Sequence, residues 1–170
     1  MPAPTDSSRN AYYDNPKLSD IYTPSPISDF LYDLLAHRGY KVILDPAIGN
    51  GSLTRPWRKS GRTILGCDID GNAAASADKP FDGSFIELSP EDIAQWPLPD
   101  LILLNPPFNR NGGRDKLNEK AKADARLQNG LLPELFLRHI IELFGKTVPI
   151  VLFCPMGMTL NQRRFSKRFP

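Results

Sequence analysis

The chain has 170 residues, and its 21 Lys and Arg against 19 Asp and Glu leave a formal net charge of +2. A hydrophobic content of 41% and a charged content of 24% are ordinary for a globular protein of one domain. No apolar run approaches the roughly 20 residues of a membrane-spanning helix, and the first ten residues lack the basic start and apolar middle of a secretion signal. The sequence therefore predicts a cytoplasmic protein without a membrane segment.

The chain begins with a polar, proline-interrupted stretch, so we expect residues 1–20 to be loosely ordered and residues 21–170 to form one domain. The first predicted helix, PISDFLYDLLAHR (26–38), places five apolar residues on one face at helical spacing: Ile27, Phe30, Leu31, Leu34 and Leu35. The apolar, β-branched run YKVILD (40–45) then predicts a first buried strand, which ends at Asp45.

Helices and strands alternate over the rest of the chain. Helices are predicted over 53–59, 72–79 and 133–144, and strands over 62–70, 84–88, 99–104 and 148–154. Continuously apolar strands that alternate with helices are typical of a parallel sheet covered on both faces, so the sequence predicts a Rossmann-like, doubly wound α/β domain. Cys67 and Cys154 lie in predicted strands without any zinc-binding spacing, which favours core packing and no metal site.

Three unusual segments follow predicted strands at the points where those strands end. They are DPAIGNG (45–51), DID (68–70) and NPPF (105–108). In open parallel sheets, ligands bind beyond the carboxyl ends of the strands, near the point where the strand order reverses. The three segments are therefore predicted to form one ligand site.

The segment DPAIGNG predicts a tight turn whose glycines, Gly49 and Gly51, permit positive φ and close approach of the backbone to a ligand. Its GxG spacing is shorter than the GxGxxG of dinucleotide enzymes. Asp45 would repel a pyrophosphate but could receive a cationic or hydroxyl-rich ligand. Asp68, at the end of the next strand, could accept both hydroxyls of a ribose, with Ile69 against an adenine face. A purely structural turn is the alternative.

In this order, the segments resemble the motifs of the S-adenosylmethionine-dependent amino-methyltransferases, above all the adenine-N6 DNA methyltransferases. The resemblance covers residues 22 to about 155 and implies a class I methyltransferase fold with S-adenosylmethionine as the cofactor. The residues that it implies as cofactor-binding are Thr23, Pro24, Asp45, Ala47, Gly49, Gly51, Asp68, Ile69, Asp92 and Ile93.

The resemblance also implies a role for some of these residues. Asp68 would bind the ribose, and Asp92 would contact the amino group of the cofactor's adenine. Thr23 and Pro24, in the amino-terminal motif YTPSPISDFL (22–31), would help to hold the methionine end of the cofactor.

The segment NPPF suits the methylation of an amine whose lone pair is delocalised into a ring. The side-chain oxygen of Asn105 and the backbone carbonyl of Pro106 could accept hydrogen bonds from that amine and stabilise the charge that develops on attack. Pro106 and Pro107 restrict the backbone, so the acceptors would lose little entropy. Phe108 could stack on a base extruded from a duplex. The alternative is a rigid exit from the strand with Phe108 packed inward.

The NPPF motif fixes the chemistry of the acceptor better than its identity, because adenine in DNA, adenine in RNA and glutamine in proteins all present a planar conjugated amine. DNA is preferred, with RNA second, because the YTP motif resembles the DNA enzymes and basic residues concentrate in segments 109–130 and 163–168. Segment 109–130 is predicted either as a flap that orders on nucleic acid or as a solvated connection with a short helix.

The last predicted strand, PIVLFC (149–154), would be a long apolar edge, because the sequence ends about sixteen residues later without the antiparallel pair of the family's sheets. We therefore expect the last strands of the fold to be missing, and a further segment of a longer protein or a second chain to cover this edge. A non-catalytic subunit that binds nucleic acid or the cofactor is the alternative from another class of function.

Overall fold

The structure is a computed structural model that describes residues 22–107, 132–156 and 158. Within these residues the helices are α1 (Ser25–Leu35), α2 (Arg55–Lys59), α3 (Gly71–Ala74) and α4 (Leu132–Phe144), and short 3-10 turns lie at Ala36–Arg38 and Phe85–Glu87. The strands are β1 (Val42–Asp45), β2 (Thr63–Asp68), β3 (Lys79–Asp82), β4 (Leu101–Leu104) and β5 (Ile150–Leu152). The predicted loose order of residues 1–20 and both alternatives for segment 109–130 lie outside the described residues.

The strands form one parallel sheet in the order β3-β2-β1-β4-β5. The chain builds the sheet outward from β1 to β3 and then crosses back to β4, so the strand order reverses between β1 and β4. Asp100 fixes the register at the start of this pair, because its carboxylate accepts hydrogen bonds from the N–H groups of Lys41 at 2.8 Å and Val42 at 3.0 Å. The predicted doubly wound α/β domain is confirmed.

The sheet separates two apolar clusters, because successive side chains of a strand point to opposite faces. One face carries Leu44, Leu65, Ile102 and Leu104 under α4, together with Phe85, Phe136 and Ile140. The other face carries Ile43, Ile64, Leu101 and Leu103 under α2, together with Ile48, Leu53 and Trp57. Burial of both faces explains why β1, β2 and β4 are continuously apolar rather than alternating.

The prediction of a strand over 84–88 is wrong. The third strand is Lys79–Asp82, which pairs with β2 at the edge of the sheet, and Phe85–Glu87 form a 3-10 turn. Phe85 and Leu88 are three residues apart and both are buried, which is the spacing at which a 3-10 turn directs two side chains to one side. Pro80 is tolerated in the actual strand because an edge strand leaves some N–H groups unpaired.

Helix α1 buries a narrower face than its sequence pattern predicts. Leu31, Tyr32 and Leu35 pack against the cluster that contains Trp57, and the rings of Tyr32 and Trp57 meet edge to face at 5.3 Å. Ile27, Phe30 and Leu34 remain exposed instead. The five predicted apolar residues therefore divide between a partly buried side and an exposed side of the helix.

Gly66 of β2 packs closely against Ile48, in the turn after β1, and against Ala77. A Cβ added to Gly66 would lie 2.6 Å from Cδ1 of Ile48 and 2.8 Å from Cβ of Ala77. We expect Gly66→Ala to lower the free energy of unfolding by about 1–3 kcal/mol, because the methyl group of Ala77 has no flexible end that can move away. Urea denaturation measures this change.

Adding Ile48→Val to the Gly66→Ala variant removes the nearer of the two clashing atoms and should restore part of the loss. Ile48→Val alone is the matched control and should cost about 0.5–1.5 kcal/mol. A urea midpoint of Gly66→Ala equal to that of the unmodified protein would contradict this close packing.

The strand β5 is the last strand of the sheet in the part of the chain that the structure describes, and its three residues are only partly buried. That a further segment or a second chain covers this edge stays a prediction. Among the described residues, no helix combines the length and apolar character that crossing a membrane requires, and no group of acidic, His and Cys side chains is arranged to hold a metal ion.

Candidate active site

The carboxyl ends of three neighbouring strands bring the predicted site segments together. β1 lies between β2 and β4, so Asp45, Asp68 and Asn105 stand at or directly after the ends of adjacent parallel strands. The ends of β1 and β4 flank the reversal in strand order, which is the position where open α/β sheets bind their ligands. The segments DPAIGNG, DID and the NPP part of NPPF therefore lie together at the carboxyl ends of the strands, as predicted.

The turn after β1 needs its two glycines. Gly49 has φ 51° and Gly51 has φ 72°, in the left-handed region that strongly favours glycine. The turn is fixed to β2 because the N–H of Ile48 donates to the carbonyl of Cys67 at 3.0 Å, and it is closed by the N–H of Gly51 on the carbonyl of Ile48 at 2.9 Å. These hydrogen bonds hold the backbone of the turn in place at the carboxyl end of β1.

The carboxylate of Asp68 connects this turn to the end of β2. One oxygen accepts the N–H of Gly49 at 2.8 Å, and the other accepts the N–H of Asp70 at 2.9 Å. An ionised carboxylate has about four acceptor positions, so both oxygens keep capacity for a further donor. Asp68 is partly exposed, and Ile69 beside it is exposed, so both side chains are accessible to a ligand.

Asp45 is completely buried at the end of β1. Burial raises the pKa of Asp45 to about 7, the N–H of Ala47 at 3.2 Å opposes the rise, and the negative charge of Asp68 adds to it. Desolvation favours the neutral form of a carboxyl group, and a nearby cation favours the charged form. A carboxyl group with a pKa near neutral pH is typical of functional sites, and a cationic ligand nearby would favour its charged form.

The amino-terminal residues 22–24 lie between the glycine turn after β1 and the segment after β4. The ring of Tyr22 rests on Gly49, because a Cβ added to Gly49 would lie 2.9 Å from Cε1 of Tyr22. Thr23 is buried, and its hydroxyl accepts a hydrogen bond of 3.0 Å from the side-chain amide of Asn105. Residues 22–24 therefore touch both the glycine turn and the segment after β4.

The segment after β4 leaves the sheet with a half-buried amide and two prolines. Asn105 is partly buried, Pro106 is buried and Pro107 is partly buried. Because proline fixes its own φ near −65° and restricts the residue before it, the backbone that carries Asn105 has little freedom. Phe108 lies outside the described residues, so its stacking role and its inward-packed alternative both stay predictions.

Asp92 and Ile93 lie in the loop between the second 3-10 turn and β4. The carboxylate of Asp92 is exposed and accepts hydrogen bonds from the N–H and the hydroxyl of Ser89, each at 2.8 Å, and these bonds lower its pKa. Ile93 packs against the same apolar cluster as Ala47. The hydrogen bonds of Asp92 thus stay within its own loop, and its predicted contact with a cofactor stays a prediction.

Two features of the site were not identified from the sequence. One is the contact of Tyr22 with Gly49, and the other is the hydrogen bond between Thr23 and Asn105 across 82 residues of sequence. Tyr22 belongs to the YTP motif, which was the available signal. The sequence could not show which part of the site this motif would touch.

The fold is that of the class I S-adenosylmethionine-dependent methyltransferases, as predicted. A protein of Listeria monocytogenes described as a member of that class superposes with a TM-score of 0.62 at 14% identity, over 89% of this chain and 51% of that one. The magnesium protoporphyrin IX methyltransferase of Synechocystis PCC 6803 superposes with a TM-score of 0.46 at 12% identity, over 92% and 80% of the two chains, which is too distant to support a conclusion.

In sequence, the chain is similar to the type II methyltransferase M.CvrRI of Paramecium bursaria Chlorella virus XZ-6E. The two are 29% identical over an alignment of 128 positions, which covers 72% of this chain and 33% of the viral protein. The chain thus spans about a third of the length of its viral relative and about half of the Listeria protein. No family model matches the chain.

Proposed function

We propose that the chain is a methyltransferase that transfers a methyl group from S-adenosylmethionine to the exocyclic N6 amine of adenine in DNA. The observation that carries this proposal is the position of Asn105 after β4, beside the glycine turn of β1, with its amide held by Thr23. A donor cleft and an acceptor-binding amide at neighbouring strand ends are what direct transfer requires. The class I fold and the similarity to a viral type II methyltransferase agree with it.

The residues at the strand ends fit the chemical groups of this cofactor. Asp68 has acceptor capacity left for the ribose hydroxyls, and the exposed Ile69 offers an apolar surface for the adenine ring. Gly49 and Gly51 bring the backbone close without a side chain. A cationic group near Asp45 would favour loss of its proton at neutral pH, because the pKa of Asp45 is about 7. When bound, the cofactor supplies an electrophilic methyl group on a sulfonium.

Asn105 and Pro106 would prepare the acceptor amine. The N6 group of adenine presents two N–H donors, and the side-chain oxygen of Asn105 and the carbonyl of Pro106 are acceptors held on a restricted backbone. Hydrogen bonds that are already aimed at a group that becomes positive lower the barrier without reorganisation in the transition state. Holding the amine in line with the methyl group would lower the barrier further, because the two reacting groups are already positioned. Burial raises the pKa of the thiol of Cys67, so no cysteine nucleophile is suggested there.

Asp68→Ala is expected to weaken the binding of S-adenosylmethionine by about 10- to 100-fold, because a hydrogen bond to a charged acceptor contributes about 1.5–3 kcal/mol. The substitution also releases the N–H of Gly49, which loosens the glycine turn. Isothermal titration calorimetry measures the dissociation constant. Asp70→Asn is the matched control, because Asp70 is exposed and an asparagine can still cap α3; equal affinities for Asp68→Ala and this control would contradict the assignment.

The proposed reaction is tested by incubating the chain with tritiated S-adenosylmethionine and with duplex DNA, ribosomal RNA or protein in separate reactions. Label in DNA that digestion recovers as N6-methyl-2′-deoxyadenosine supports the proposal. Label only in RNA would move the assignment to RNA adenine, and label only in protein would move it to glutamine. Cofactor binding without transfer to any of the three would favour the non-catalytic subunit.

The proposed partner is DNA in preference to RNA. This preference depends on the resemblance of the YTP motif to the DNA enzymes and on the basic segments 109–130 and 163–168, which lie outside the described residues. As part of the same proposal, β5 would be covered by a further segment or a second chain, since its residues are only partly buried at the edge of the sheet.

A further inference from the structure

We propose that Thr23 is a positioning residue that orients the amide of Asn105, so that its side-chain oxygen is presented to the acceptor amine. This inference rests on the proposed function and deepens it. It assigns to Thr23 a task in the transfer step, in addition to the predicted contact with the methionine end of the cofactor. The observation behind it is the hydrogen bond of 3.0 Å from Nδ2 of Asn105 to Oγ1 of Thr23.

The orientation of this amide decides whether Asn105 can act. The two ends of an asparagine amide differ, because the oxygen only accepts hydrogen bonds and the nitrogen only donates them. An amine acceptor presents N–H donors, so it needs the oxygen; the opposite orientation would set donor against donor. When the nitrogen is bound to Thr23, the oxygen is directed away from Thr23 and is available for another donor.

Thr23 can hold the amide nitrogen of Asn105 at a fixed point because it is itself held in place. Its side chain is buried, and the residue before it, Tyr22, packs on the backbone of Gly49. The residue after it, Pro24, precedes α1, and its carbonyl accepts the N–H of Ile27 at 3.0 Å and of Ser28 at 3.3 Å. Thr23 is thus fixed between the glycine turn and the start of a helix.

The two tasks assigned to Thr23 are compatible. A hydroxyl group has one proton and two acceptor positions. If the hydroxyl accepts from Asn105, its own proton remains for an acceptor elsewhere, such as the carboxylate at the methionine end of the cofactor. A hydroxyl whose proton is committed in this way can only accept from Asn105, so a bound cofactor would strengthen the orientation of the amide.

The test compares Thr23→Val, which keeps the shape but removes the hydroxyl, with Thr23→Ser, which keeps the hydroxyl. With saturating cofactor, Thr23→Val should lower kcat by about 100-fold, the size of effect expected when a reacting group is misplaced by about 1 Å. Thr23→Ser should recover most of this loss. Thr63→Val is the matched control, because Thr63 is a partly buried threonine at the opposite end of β2.

A normal kcat for Thr23→Val at saturating cofactor, with only the cofactor dissociation constant raised, would overturn the inference, since Thr23 would then serve binding alone. If the valine variant fails to fold, Thr23→Ala provides the same comparison with Thr23→Ser. A kcat as low in Thr23→Ser as in the variant without a hydroxyl would also overturn it.

A second readout does not depend on activity. The side-chain amide signals of Asn105 in a nitrogen-15 NMR spectrum are identified by their loss in Asn105→Ala. In Thr23→Val their protons should exchange with water about tenfold faster, as expected from the loss of one hydrogen bond, whereas Thr23→Ser should preserve the slow exchange. Equal exchange rates in all three proteins would overturn the inference. If the unmodified chain methylates no substrate, the proposed function fails, and this measurement still decides whether Thr23 orients Asn105.

Discussion

Replacing Asn105 by alanine is expected to lower the kcat of methyl transfer by about 100- to 1000-fold, the loss typical of removing one pre-aimed hydrogen-bonding group from a charge-stabilising site. The variant lacks the oxygen that accepts from the acceptor amine, and it leaves the hydroxyl of Thr23 without its donor. The residues proposed to hold the cofactor are unchanged, so the cofactor dissociation constant should change by no more than about threefold. Tritium transfer and calorimetry measure the two quantities separately.

Asn72→Ala is the matched control for this substitution, because Asn72 is an exposed asparagine on α3 whose backbone, rather than its side chain, takes part in the helix cap. It should transfer methyl groups at the rate of the unmodified protein. Retention of full activity by Asn105→Ala would remove Asn105 from the reaction and, with it, the proposed mechanism.

Asp45→Asn is expected to change the pH dependence of stability of the protein without cofactor. The folded pKa of Asp45 is raised to about 7, so between about pH 4 and pH 7 the folded state keeps a proton that the unfolded state has released. The contribution of Asp45 is therefore fully favourable below pH 4 and is lost as the pH rises through 7. Over this range of about 3 pH units, the loss is at most roughly 4 kcal/mol at 1.36 kcal/mol per unit. The asparagine variant lacks this loss.

Urea denaturation at pH 5 and pH 8 measures the effect: Asp45→Asn should gain stability over the unmodified protein as the pH rises. Asp92→Asn is the control, and its difference in stability from the unmodified protein should stay constant between pH 5 and pH 8. Hydrogen bonds from Ser89 lower the pKa of Asp92, so its contribution is fully present over this range and is lost only in more acidic solution, as the pH falls through the folded pKa. A constant difference between Asp45→Asn and the unmodified protein from pH 5 to pH 8 would mean that Asp45 is ionised in the folded protein.

The sequence predicted the sheet well because the physical signals of its strands are strong. β1, β2 and β4 are buried on both faces, and such strands must be apolar without interruption, which is visible in VILD, TILGCD and LILL. The third strand was missed because β3, at an edge, is short and polar, and contains Pro80. The apolar residues Phe85 and Leu88 led to the prediction of a strand, although they are buried by a 3-10 turn.

The site was predicted in part for a related reason. Strand ends are local features, so the positions of Asp45, Asp68 and Asn105 follow once the strands are known. The hydrogen bonds that give these side chains their properties join distant segments, and no local pattern reveals them. The burial that raises the pKa of Asp45 is likewise a property of the packed sheet rather than of the turn sequence.

The link between Thr23 and Asn105 has a consequence for how the protein reaches its native state. The hydrogen bond that ties the glycine turn to Asp68 spans 19 residues, whereas the one between Thr23 and Asn105 spans 82. Closing a longer loop costs more chain entropy, and contacts between distant segments form more slowly than local ones. During synthesis, Thr23 leaves the ribosome long before Asn105 exists. The nascent chain can therefore form the glycine turn and its hydrogen bond to Asp68 before the segment that carries Asn105 has been synthesised.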